Sequence, residues 1–123
     1  MPVKYSRQIL THVPVIPNGT ALSQGLNIAG FTIACLATPA AWTAAVVTFD
    51  ASFDGGVTWI AVFDDAGVEV SIASATIVAA HVLVAGTLLS KLAGLPMIRL
   101  RSGPVAVPVN QGAARTFGLV LTA

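Results

Sequence analysis

Charge is what this chain has least of. Asp, Glu, Lys and Arg make up 9% of its 123 residues, against about 25% in ordinary soluble domains. Mean hydropathy is correspondingly high, at +0.85. Six bases against five acids leave it near neutral, which speaks against nonspecific nucleic-acid binding, where a basic surface must replace counterions. Cys35 is the single cysteine, so a disulfide framework is excluded; within its apolar run it reads as a small buried hydrophobe. His12 and His81 each stand alone, with no nearby partner ligand for a metal. Glycine-rich phosphate loops, nucleophile elbows and haem motifs are all missing. The expectation is a protein that is not an enzyme and has no catalytic residues, cofactor or metal.

The few charges are segregated. All five acids, Asp50, Asp54, Asp64, Asp65 and Glu69, fall in one stretch; Lys4, Arg7, Lys91, Arg99, Arg101 and Arg115 lie outside it. Two long stretches, Gln8 to Phe49 and Val70 to Ser90, carry no charge at all. Each is long enough to span a bilayer. The first, however, is broken by Pro14, Pro17, Gly19, Gly25, Gly30 and Pro39, and the second is rich in Ser, Thr, Val and Ala. Both divide into short alternating pieces, which suit strands better than membrane helices. The bases near Met1 are followed by a segment broken at Pro14 and Pro17, so no signal peptide is expected. So weakly charged a chain needs its surface covered by other chains or by a membrane, and the strand-like pieces favour other chains.

What is present is strand periodicity with turn chemistry between. Residues 1–123 read as a single domain. The first seventeen, with Pro14 and Pro17, suit an extended arm or edge strand, because proline cannot donate to a central ladder. Phe31, Ile33 and Cys35 alternate with Thr32, Ala34 and Leu36. The stretch from Thr48 to Phe63 reads as a hairpin with a tight turn at Asp54-Gly55-Gly56, where glycine supplies positive φ. Phe49 and Phe53 share one face of it, and Trp59 and Phe63 share a face on the returning strand, giving an aromatic side expected to be buried. Asp64-Asp65-Ala66-Gly67 turns the chain again, so that Val68, Val70 and Ile72 complete a three-stranded meander. Ser74 to Leu89 reads as strands near Thr76 to Val78 and His81 to Ala85 in preference to one helix, and a helical turn from Leu88 is closed by Gly94 and Pro96. In Met97 to Ser102, Ile98 and Leu100 point in while Arg99 and Arg101 point out. A last strand covers Arg115 to Thr122, with Phe117, Leu119 and Leu121 on one face. About seven to nine short antiparallel strands with such punctuation predict an all-β chain, a β-sandwich or jelly roll.

Ser52-Phe53-Asp54-Gly55-Gly56-Val57-Thr58-Trp59 fits Ser-x-Asp-x-Gly-x-Thr-Trp. It resembles the Asp-box of sialidases and related propellers. The resemblance implies a structural hairpin in which Ser52 and Asp54 bind turn backbone, with Gly56 and Thr58 in the turn and Trp59 packed beneath. One copy in so short a chain does not imply a propeller or a glycosidase. Asp50-x-Ser52-x-Asp54-Gly55 echoes a calcium loop, but Ala61 stands where a bidentate Glu is required.

Met97-Ile98-Arg99-Leu100-Arg101-Ser102-Gly103-Pro104, then Pro108-Val109-Asn110-Gln111, Ala114-Arg115-Thr116 and Leu119-Val120-Leu121, follow the Asp-box-like hairpin. From Phe49 onward the chain looks like the small, weakly charged all-β virion proteins encoded among the head genes of tailed bacteriophages. That likeness implies a capsid decoration or cement protein on the virion surface, partnered by the major capsid protein and by itself, often as a trimer. Arg99, Arg101 and Arg115 are then candidates for intersubunit or capsid contacts, opposite Asp50, Asp54, Asp64 or Asp65. Rival expectations are another virion part (tail, connector or head fibre) and a carbohydrate-binding module with Trp42 or Trp59 as a stacking platform.

Overall fold

The computed structural model describes residues 8–77, 79–84, 86 and 90–123. These form an all-β, antiparallel sandwich. Its strands are β1 (Ile9–His12), β2 (Val15–Ile16), β3 (Leu26–Asn27), β4 (Thr32–Ala37), β5 (Val47–Ser52), β6 (Ile60–Ala61), β7 (Ser71–Ile72), β8 (Val82–Val84), β9 (Met97–Ser102), β10 (Arg115–Thr116) and β11 (Gly118–Thr122). One sheet has the order β1-β11-β4-β8. The other runs β3-β9-β5-β6, with β7 also pairing β5; β2 and β10 form a small ladder of their own. Five of these strands are two-residue pairings, which is why there are more than the sequence suggests.

The core lies between the two sheets. Ile33, Leu36, Leu119 and Leu121 of the first meet Val47, Phe49, Ile98, Leu100 and Ile72 of the second, with Ile16, Ile77, Leu92 and Phe117 closing around them. The alternation at Phe117, Leu119 and Leu121 holds, and all three are buried. In β4 it breaks. Cys35 pairs Val120 and Ile33 pairs Leu121, so Ala34 is an extra residue in a bulge. The bulge lets Ile33 and Leu36, three apart, both face inward. Cys35 is thereby half-buried on the outer face rather than in the core.

The prolines act through the hydrogen bonds they cannot make. Among the described residues β1 pairs only with β11, so it is an edge strand. Pro14, lacking an N–H, contributes its carbonyl, which accepts from the Phe117 N–H at 2.8 Å. The N–H that Pro14 lacks breaks the expected Arg115–Thr122 strand into β10 and β11, while the register is kept on both sides, Thr116 opposite Val15 and Leu119 opposite His12. The meander is also different. β7 pairs β5 rather than extending from β6, and β6 and β7 lie along the same edge of β5, joined at Phe63 and Glu69. Ser74–Ile77 is a 3-10 turn where a strand was expected from Thr76, and it buries Ile77; Val78 and Ala85 lie outside the described residues. The turn ahead of Gly94 is seen from Ser90 onward, with Gly94 at φ 85°; Leu88 and Leu89 lie outside. Among the described residues no helix is long and apolar enough to cross a membrane.

Candidate functional site

The two outer faces of the sandwich differ in chemistry, and the difference follows from the strands that make them. On the second sheet, Thr48 faces Arg101 and Asp50 faces Arg99 across the β5–β9 ladder. Such directly opposed side chains interact. Arg99 Nε donates to Asp50 Oδ2 at 2.9 Å. Arg101 donates to the other Asp50 oxygen, and again to Thr48 Oγ1 at 3.3 Å. The Glu69 carboxylate lies 3.6 Å from Arg101 and accepts from the Val105 N–H. The Arg99 guanidinium stacks over Trp59, 4.5 Å from the ring centroid. The result is a continuous row, Glu69–Arg101–Asp50–Arg99–Trp59, with two charges of each sign.

This row corrects the interface assignment for two of its members. Asp50 is only 2% exposed and Arg101 is buried too, because β5 and β9 are neighbours and the Glu69 and Val105 loops close over them. Their partners lie in their own chain. Arg99 is half-buried against Trp59. Arg115 is held by Gln111 Oε1 (3.0 Å) and Thr43 Oγ1 (3.3 Å), with no carboxylate partner among the described residues. Asp64 pairs with Lys91 at 3.2 Å. Asp54 and Asp65 are exposed. Gln111, buried and bonded to Thr43 and Ser102 as well, is a hub that nothing local in the sequence marks; Glu69 and Thr48 were likewise missed as partners.

The Asp-box-like turn behaves as the resemblance implies. Ser52 Oγ donates to Asp54 Oδ1 and accepts from the Gly56 N–H, both at 2.8 Å; the Thr58 N–H donates to Asp54 Oδ1, also at 2.8 Å. Gly55 and Gly56 take φ of 74° and 93°. The Thr58 backbone N–H above all, helped by the Thr58 and Ser52 side chains, holds the Asp54 carboxyl below its usual range. Asp64 does the same job in its turn, lowered first by the Val68 N–H and then by Lys91. Residues 53–59 form a longer loop than the tight turn expected. Trp59 lies against Gly25 and Met97: a Cβ on Gly25 would come within 2.9 Å of the ring. Trp42 donates from Nε1 to the Ala45 carbonyl at 2.8 Å and meets Phe117 edge-on. Both indoles are therefore engaged internally.

The first sheet is the opposite case. No Asp, Glu, Lys or Arg occurs in β1, β4, β8 or β11. Its outer face presents Thr11, Val120, Cys35 and Val84 in one cross-strand row, with Gly118, Ala37 and Val82 in the next. Val84 is 78% exposed.

Comparison with protein-family models, curated proteins and solved structures finds no match.

A second apolar surface lies at the β5–β6 hairpin. The inner face of β5 runs Phe49, Ala51, with Phe53 just past its end, and β6 adds Ile60, opposite Ala51. Phe49 is covered by the first sheet, but Phe53 and Ile60 are 68% and 58% exposed. The aromatic side expected to be buried is therefore only half covered. Phe63 is exposed too, and these side chains line an open groove with Val62 and Leu95.

Proposed function

We propose that the chain is a structural virion protein, a decoration or cement protein that binds across capsomer joints on the head of a tailed bacteriophage. The observation that carries this reading is the uncharged outer face of the first sheet. Monomer surfaces are apolar in places, but a whole sheet face without a charge has the composition of an interface centre. The charged row supports the same reading from the other side. Its four ions are matched within one chain, so that face too offers little unpaired charge. A cement protein acts by binding the assembled shell and not its separated parts, which raises shell stability by mass action. A face of small and β-branched side chains suits contact across a joint between subunits. The resemblance of the chain from Phe49 onward to head-gene virion proteins points the same way.

The test uses expanded shells of the major capsid protein encoded in the same genome. The protein is expected to co-sediment with them and to raise the temperature at which they break apart. Val120→Arg, which places a charge mid-face without touching the core, is expected to abolish both effects. Absence of co-sedimentation by the wild-type chain, or undiminished binding by V120R, would overturn the reading.

A further inference from the structure

We infer that the groove at the β5–β6 hairpin receives Tyr5 of a neighbouring copy, so that the protein associates with itself. This rests on the reading that other chains cover its surface, and it concerns contact between copies rather than contact with a shell. The groove encloses about 180 Å³. That is below the roughly 300–1,000 Å³ of ordinary ligand pockets. It is close to the roughly 150 Å³ that admits one benzene ring. The groove therefore fits a single aromatic side chain, the usual anchor of a protein interface. Phe53, Ile60 and Phe63 offer it apolar walls.

The charge around the groove selects the sequence that carries the anchor. Asp54 follows Phe53, and Asp64 and Asp65 follow Phe63. Among the described residues, Asp64 alone of these three has a basic partner, Lys91. Asp54 commits its Oδ1 to the turn, and Asp65 has no partner among the described residues. An anchor flanked by bases is complementary to this rim; a second acidic hairpin is not. In this chain one stretch has an aromatic residue between two bases, Lys4-Tyr5-Ser6-Arg7, and Tyr5 is its sole tyrosine.

The basic stretch and the acid-rimmed groove are different parts of the chain, so the contact joins unlike surfaces of two copies.

Two measurements test this without any shell. The first is native mass by light scattering behind size exclusion, for Tyr5→Ser and for Phe53→Ser. Phe53 is exposed, so its replacement leaves the core alone. Each variant alone is expected to be monomeric. Mixed in equal amounts they are expected to form a two-chain species, because one supplies an intact groove and the other an intact anchor. The second is binding of a labelled peptide, Met-Pro-Val-Lys-Tyr-Ser-Arg-Gln, to full-length Y5S protein. Phe53→Ser added to that protein is expected to weaken binding roughly tenfold or more, as is a peptide with Glu for Lys4 and Arg7. Variants with wild-type mass, a mixture that stays monomeric, a monomeric wild type, or a peptide indifferent to Phe53→Ser would each overturn the inference. Shell co-sedimentation would still judge the decoration reading separately.

Discussion

Asp50 is the residue on which the second sheet's outer face depends. Its two oxygens each accept from a different arginine, Arg99 and Arg101. Removing one partner of a buried ionic group leaves the other desolvated and unmatched, at a cost of about 3–5 kcal/mol. Asp50→Ala is therefore expected to lose about that much stability in urea unfolding, because Arg101 stays buried. Arg99→Met should cost far less. Asp50 would keep Arg101, and the methionine could still pack on Trp59. Asp54 and Asp64 make a different demand. Their carboxyls are held below the ordinary value in the folded chain, so the unfolded chain takes up protons first as the solution is acidified. Their contribution is complete above the unfolded value, about 4, and is lost as pH falls through the folded one. The melting temperature should drop as pH falls below about 4, and less steeply in Asp54→Asn and Asp64→Asn proteins. The turn role of Asp54 was legible in the sequence because Ser52, Asp54 and Gly56 act within five residues of one another. The Asp50 pairing was not: it joins side chains 49 and 51 positions apart, and only the adjacency of β5 and β9 brings them together.

At the scale of elements, period two gave the faces correctly wherever strands ran straight. Ile98 and Leu100 point in, as do Leu119 and Leu121. It failed in β4, where a bulge adds a residue, and at Phe53 and Phe63. Alternation says which face a side chain takes but not how far the opposite sheet extends to cover it. The link from β9 to the loop at 104–109 depends on Gly103. Its N–H donates to the Val46 carbonyl at 2.7 Å, its carbonyl accepts from Thr48 Oγ1 at 2.7 Å, and its φ is 89°. A Cβ there would meet the Val109 nitrogen at 2.7 Å and the Val107 oxygen at 2.8 Å, both backbone atoms. Gly103→Ala is expected to cost more than the roughly 1–2 kcal/mol of the left-handed conformation alone. Gly30→Ala, at φ 80° with open space around it, should cost only that. Thermal unfolding of the pair separates clash from conformation.

For the whole molecule the sandwich is two-faced, with charge gathered and neutralised on one sheet and absent from the other. Contacts of the two kinds respond differently to salt. The proposed shell binding through the uncharged face is expected to persist from about 0.05 to 0.5 M salt, and the proposed assembly through the acid-rimmed groove to weaken over that range. Sedimentation with shells and native mass across the same salt series would show whether the two surfaces act independently. The overall class was legible because turn residues and alternation are local signals. The division of labour between sheets was not, since strand order comes from pairings distant in sequence.

The Ala34 bulge has a further consequence, for which residues the chain could lose. Ala34 is the extra residue between Ile33 and Cys35, while their partners Leu121 and Val120 are adjacent. Excising it would close the ladder into strict alternation with Ile33 still opposite Leu121 and Leu36 still opposite Leu119. Excising Val120 would instead turn half of β11 over and carry a core leucine to the outside. β4 thus contains a spare position whose omission alters the bend of the sheet and spares its contents, a tolerance for deletion that β11 beside it lacks.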